Sequence, residues 1–126
     1  MRPMRRLATM ALAVTMSACS LTDSIGPDGS LDATFSLRTL NGYTLPYTFS
    51  NGVTLVSDEL TLFRDGSYED LSRYADGSTN VEEGFYTNTN GSLYFEPRSG
   101  APYQGSITGS TLTQIVAGFT QVFRRE

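Results

Sequence analysis

Apolar and polar residues alternate along most of the chain after residue 30. In LDATFSLRTL, Leu31, Ala33, Phe35 and Leu37 fall on one side, and Asp32, Thr34, Ser36 and Arg38 on the other. Successive side chains of an extended chain leave opposite faces, so period two predicts an amphipathic strand. Short β-branched and aromatic runs follow, separated by Asn-Gly at 41–42, 51–52 and 90–91 and by Asp-Gly at 65–66 and 76–77. Such pairs suit tight hairpin turns, because Gly accepts positive φ freely and Asn or Asp tolerates it. ELTLFR, Asp65-Gly66 and SYEDLSRY read as one hairpin. EGFYTN, Asn90-Gly91 and SLYFEP read as a second. APYQGSIT, Gly109-Ser110 and TLTQIV read as a third, and Ala117-Gly118 leads to a last strand, FTQVFRR. An early strand near VTLVS is expected to continue into ELTLF through a bulge at Ser57 to Glu59, or to precede it as a separate strand. Pro46, Pro97 and Pro102 fall in loops or at strand edges, where a missing N–H is tolerated.

No 3.6-residue stripe competes with these strands after residue 30. Seven to eight short strands joined by hairpins predict an all-β fold, a small antiparallel up-and-down barrel. Closure is favoured because it removes exposed edges; an open sheet or sandwich is the alternative.

The first thirty residues follow a different pattern. MRPMRR is basic, Leu7 to Ala18 is uncharged and mostly apolar, and small residues follow. This is the layout of an export signal. The apolar stretch is about 18 Å long as a helix, too short for a bilayer core of about 30 Å. Met16-Ser17-Ala18-Cys19 resembles a bacterial lipobox, with Met16 where Leu is commonest. The resemblance implies cleavage between Ala18 and Cys19 and acylation of Cys19, the only cysteine in the chain. Residues 1–18 are therefore expected to be a helical lipoprotein signal peptide. Residues 19–30, polar with two Gly and a Pro, are expected to be the lipidated Cys and a flexible tether. Residues 31–126 form the barrel domain. Ser20 after the Cys resembles the outer-membrane sorting choice, which implies a lipid-anchored protein on the periplasmic face of the outer membrane.

Composition narrows the chemistry. The chain has no His, Trp or Lys. Without His there is no Ser-His-Asp or Cys-His nucleophile, and one Cys without His builds no structural zinc site. Removing the signal leaves six Arg against thirteen Asp and Glu, a net charge of −7. That surface repels nucleic acid phosphates. No enzyme activity, metal or cofactor is expected, and no nucleic acid partner.

The stretches LRTLNGYTLP, LTLFRDGSYE and GFYTNTNGSLYF, with Gly84-x-Tyr86, Gly105-x-Ile107, Thr-Leu-Thr and a closing Val-Phe-Arg, resemble the small bacterial lipocalin-like lipoproteins. The chain lacks the Gly-x-Trp of lipocalins and is shorter than they are. The resemblance implies a non-enzymatic envelope protein, anchored to the membrane, whose barrel holds a small apolar ligand. Phe35, Phe63, Tyr68, Tyr86, Phe95 and Tyr103 are the candidate cavity lining. The alternative is a filled barrel acting as a protein-interaction module toward an envelope partner or a protease. Small barrels are often filled by their own side chains.

Three acidic dipeptides, Asp58-Glu59, Glu69-Asp70 and Glu82-Glu83, stand out. Because neighbours on a strand point to opposite faces, they are expected to be solvated rather than convergent. Arg124 and Arg125 are expected at the surface, one of them facing an acidic residue such as Asp32.

Overall fold

The structure, a computed structural model, describes residues 31–126. The expected signal, Cys19 and the tether lie outside the described residues. Ten strands follow in order: β1 Ala33–Leu40, β2 Tyr43–Thr44, β3 Tyr47–Thr48, β4 Thr54–Leu62, β5 Ser67–Tyr74, β6 Thr79–Thr89, β7 Ser92–Pro97, β8 Tyr103–Thr108, β9 Thr111–Val116 and β10 Phe119–Arg125. The described residues contain no helix.

Strands β4 to β10 form an antiparallel meander, and β1 closes it by pairing with both ends. Its first half pairs with β4, Ala33 opposite Leu62 and Phe35 opposite Leu60. It also pairs with β10, from Phe35 opposite Arg125 to Leu40 opposite Gln121. The result is a closed eight-stranded antiparallel barrel. The two-residue strands β2 and β3, which the sequence pattern did not predict, extend β1 and β4 at one end.

The predicted turns sort into three kinds; at Gly109-Ser110 only the first residue is left-handed. Asn41-Gly42, Asn90-Gly91 and Ala117-Gly118 have positive φ at both residues, the condition for a two-residue hairpin that follows strand twist. At Asp65-Gly66 and Asp76-Gly77 only the Gly is left-handed. There the Asp carboxylate accepts the backbone N–H of Ser67 or Ser78, each at 2.9 Å. The expected bulge in β4 is displaced. Register shifts between Leu55 and Ser57 rather than at 57–59.

The lumen takes the apolar side of each strand. Phe35, Leu60, Leu62, Phe95, Leu112 and Phe123 are fully buried, with Leu37, Leu40, Leu55, Tyr68, Tyr86 and Leu93 nearly so. Hairpin connectivity fixes two ends. Leu31 and the turns at 64–66, 90–91 and 109–110 lie at one, called the tether end after the expected tether before Leu31. The loops at 41–53, 75–77, 98–102 and 117–118 lie at the other, the distal end. Over the distal end Tyr47, Phe49 and Phe119 pack edge to face, centroids 5.1–6.2 Å apart. Arg124 and Arg125 are exposed as expected, but Asp32 pairs with Arg64 instead, at 3.6 Å. Arg64 lies in the turn beside the start of β1, whereas the β10 arginines pair opposite Phe35 and Ser36.

Candidate functional site

Three lumenal strands, β4 to β6, bring the site together. In register, Leu62 stands opposite Tyr68 and Leu60 opposite Asp70, while Asp58 stands opposite Ser72. Across the next ladder Tyr68 faces Gly84 and Asp70 faces Glu82. Leu60, Leu62 and Tyr68 point inward to the core. Period two therefore carries Asp58, Asp70 and Glu82 to the same face. The expectation of solvated acidic dipeptides is corrected here. One member of each dipeptide faces outward (Glu59, Glu69, Glu83) and the other faces in.

The inward carboxyls divide into a pair and a single acceptor. Asp58 is buried, and its Oδ2 accepts from the Ser72 hydroxyl at 3.1 Å. Asp58 and Asp70 are in side-chain hydrogen-bond contact. Apart from that contact, Asp58 Oδ1 and Asp70 Oδ1 meet no donor. A retained proton supplies one, because two carboxylates cannot both ionise in contact in a low dielectric. Burial, then the hydrogen bond to Asp58, then the charges of Asp58 and Glu82 push Asp70 up to about 10. Burial also raises Asp58, against the lowering effect of its hydrogen bonds to Asp70 and Ser72. Asp70 is thus the protonated partner and donates to Asp58.

Glu82 Oε2 accepts two phenols, Tyr103 at 2.5 Å and Tyr68 at 2.9 Å. Burial first, with the contact to Glu82, holds both hydroxyls protonated well above the ordinary tyrosine range. Their rings continue into the apolar layer. Phe95 stacks on Tyr103 at 5.0 Å, meets Tyr68 edge-on at 5.2 Å and lies 6.4 Å from Tyr86. Gly84 makes room for this stack. A Cβ there would overlap the Glu96 carbonyl oxygen and lie 2.9 Å from the Tyr68 ring. Glu82 also borders an open groove of about 510 Å³ with Asn80, Glu83, Arg98 and Ser99.

Of the six aromatic positions expected to line a cavity, five are lumenal. Tyr68, Phe95 and Tyr103 form the ring stack, Tyr86 closes it toward the tether end, and Phe35 is buried on β1. Phe63 stands apart. It follows β4 directly, is 38% exposed, and borders a shallow outer groove with Phe85. Cys19 lies outside the described residues. Sequence reasoning missed Asp58, Asp70 and Glu82 as site residues. Their signal was parity with Leu60, Leu62 and Tyr68 on the same strands.

Chemically, the arrangement stores a proton between two aspartyl groups and fixes a third carboxyl with two phenols. Among the described residues, no group of three or more His, Cys, Asp or Glu is placed to hold a metal ion. Comparison with protein-family models, curated proteins and solved structures returns no match.

Proposed function

We propose that this chain is a lipid-anchored, non-enzymatic protein of the bacterial cell envelope, similar to the lipocalin-like lipoproteins, whose filled barrel acts as a protein-interaction module. The carrying observation is the engagement of the lumenal rings with one another. Phe95 contacts Tyr68, Tyr86 and Tyr103, and two of those phenols are committed to Glu82. An apolar ligand in that lumen would have to break this stack and lie against carboxyl groups, whose desolvation is costly. This favours the interaction reading over the small apolar ligand.

The anchor is supported by the layout of residues 1–19, which end in the lone Cys19 after Ser17-Ala18. Acylation there would hold the domain at the periplasmic face of the outer membrane, since two or more acyl chains anchor stably. The absence of His and the burial of Asp58 favour a non-enzymatic role.

The distal end is the partner surface. Tyr43 is 67% exposed and borders a groove of about 460 Å³ with Thr44, Pro46, Tyr47 and Thr48. Tyrosine suits such a role because it offers a large contact area and a polar tip at little entropic cost. The test is native mass spectrometry of the protein purified from its own envelope. The expected result is a co-purifying protein, lost in Tyr43→Arg, and no stoichiometric small-molecule adduct. A stoichiometric apolar adduct retained in Tyr43→Arg would overturn the reading in favour of ligand binding. Cys19→Ala is expected to release the domain from membranes, and unchanged partitioning would remove the anchor.

A further inference from the structure

The tether end carries exposed aromatic residues that neither the core nor the acidic site uses. Phe85 is 61% exposed on the outer face of β6, and Tyr94 is 39% exposed on the outer face of β7. Phe85 pairs with Glu96, which places Tyr94 at the diagonal position beside it, within reach of an aromatic ring. Phe63 and Phe85 border one groove of about 220 Å³ with Ser67, Glu69, Glu83 and Arg98.

The same edge is where the tether joins the barrel. The Tyr86 hydroxyl accepts from the Leu31 N–H at 2.6 Å. It also lies 3.0 Å from the Leu31 carbonyl and 2.8 Å from the Phe63 carbonyl. Leu31 is therefore held beside Phe63 through a single oxygen. One arginine lies at this edge, and a second, at the start of the 98–102 loop, borders the groove from the other side. Arg64 meets Asp32, and Arg98 meets Glu83 at 2.8 Å with most of its side chain exposed.

We infer that this edge, formed by Phe63, Phe85 and Tyr94, rests on the surface of the lipid bilayer, so that the barrel is oriented with its distal end away from the membrane. The inference rests on acylation of Cys19. That residue is twelve positions before Leu31, a span of at most about 40 Å when fully extended. An anchor this short keeps the domain within about 40 Å of the bilayer, and the exposed rings decide which face rests on it. Aromatic rings and guanidinium groups suit the headgroup layer, where one part of the side chain is apolar and the other wet. Glu69, Glu83 and Glu96 at the same edge oppose anionic headgroups, so the lipid that fits is zwitterionic.

The chain has no Trp, so a single introduced Trp reports one position. The acylated mature protein, carrying Phe85→Trp, Phe63→Trp or the distal control Tyr43→Trp, is placed in phosphatidylcholine vesicles containing brominated chains. The expected result is blue-shifted emission and at least twofold quenching by bromolipid for Phe85→Trp and Phe63→Trp, and neither for Tyr43→Trp. Replacing half the lipid by phosphatidylglycerol is expected to weaken the quenching. Intact mass on the same sample reads acylation independently. An acylated, vesicle-bound protein in which all three positions are equally open to an aqueous quencher overturns the orientation and leaves the anchor standing. A mass without acyl groups removes the anchor, and the orientation falls with it.

Discussion

Tyr68 and Asp70 are two residues apart on β5 and face the same lumen, yet they belong to regions built on different rules. Around Tyr68 the lumen is a stack of rings and leucines, Phe95, Leu62, Tyr86 and Leu93, whose stability comes from area removed from water. Around Asp70 it is a layer of carboxyls in which every oxygen needs a donor. Beyond that layer the chain returns to apolar packing at Leu55, Tyr47, Phe49 and Phe119. The acidic groups thus sit against one continuous apolar cluster. The apolar regions tolerate any well-packed set of rings. The acidic layer works only with its proton in place. The two regions should therefore answer differently to truncation and to pH.

The largest effect is expected in the apolar region. Phe95 is fully buried and touches three other rings. Phe95→Ala should cost about 3–5 kcal/mol of unfolding free energy, lost contacts plus the cavity left behind. Urea denaturation reads this, and the cost should be the same at pH 5 and pH 9. A cost that changes strongly with pH would mean the two regions are one coupled unit.

The next effect belongs to Asp70. Its folded pKa, about 10, lies above the ordinary 3.8, so the folded state holds a proton that the unfolded state releases. That contribution is fully present below about pH 4 and is lost as pH rises toward 10. Asp58 is shifted in the same sense. Asp65 and Asp76, held low by Ser67 and Ser78, act in the opposite sense, in acid, and only at exposed turns. Stability should accordingly fall steadily between pH 5 and pH 9. Asp70→Asn keeps a donor toward Asp58 without a titrating proton, and should flatten that slope. Unchanged slope in the variant would dismiss the shared proton.

The smallest effect probes the seam between the regions. Tyr103→Phe keeps the ring stacked on Phe95 and removes one of the two phenols on Glu82. Tyr68 remains as donor, so the loss should be about 1 kcal/mol. Calorimetry should show a small drop in Tm with the cooperativity of unfolding retained. A loss comparable to that of Phe95→Ala would place the polar layer, not the ring stack, at the centre of the fold.

Much of the architecture was legible in the residue order. Alternation at Leu31–Leu37 and the Asx-Gly turns lead to an antiparallel meander because both act within a few residues. Four of the six aromatic positions chosen for the lumen, Phe35, Tyr68, Tyr86 and Phe95, are buried there. Tyr103 is half-buried in the same stack, and Phe63 is the exception. It is one step past the end of β4, where the turn lets its ring leave the barrel. The strands β2 and β3 escaped notice because two-residue ladders carry no periodic signal.

What local pattern determined is the set of barrel strands, their turns and which side of each strand is apolar, since these follow from backbone sterics and period two. Closure of β1 onto β4, and the meeting of Asp58, Asp70 and Glu82, were decided only in three dimensions. Each carboxyl sits beside an ordinary solvent-facing neighbour in the chain. Only the pairing of three strands puts them on one face, close enough that one of them must keep its proton.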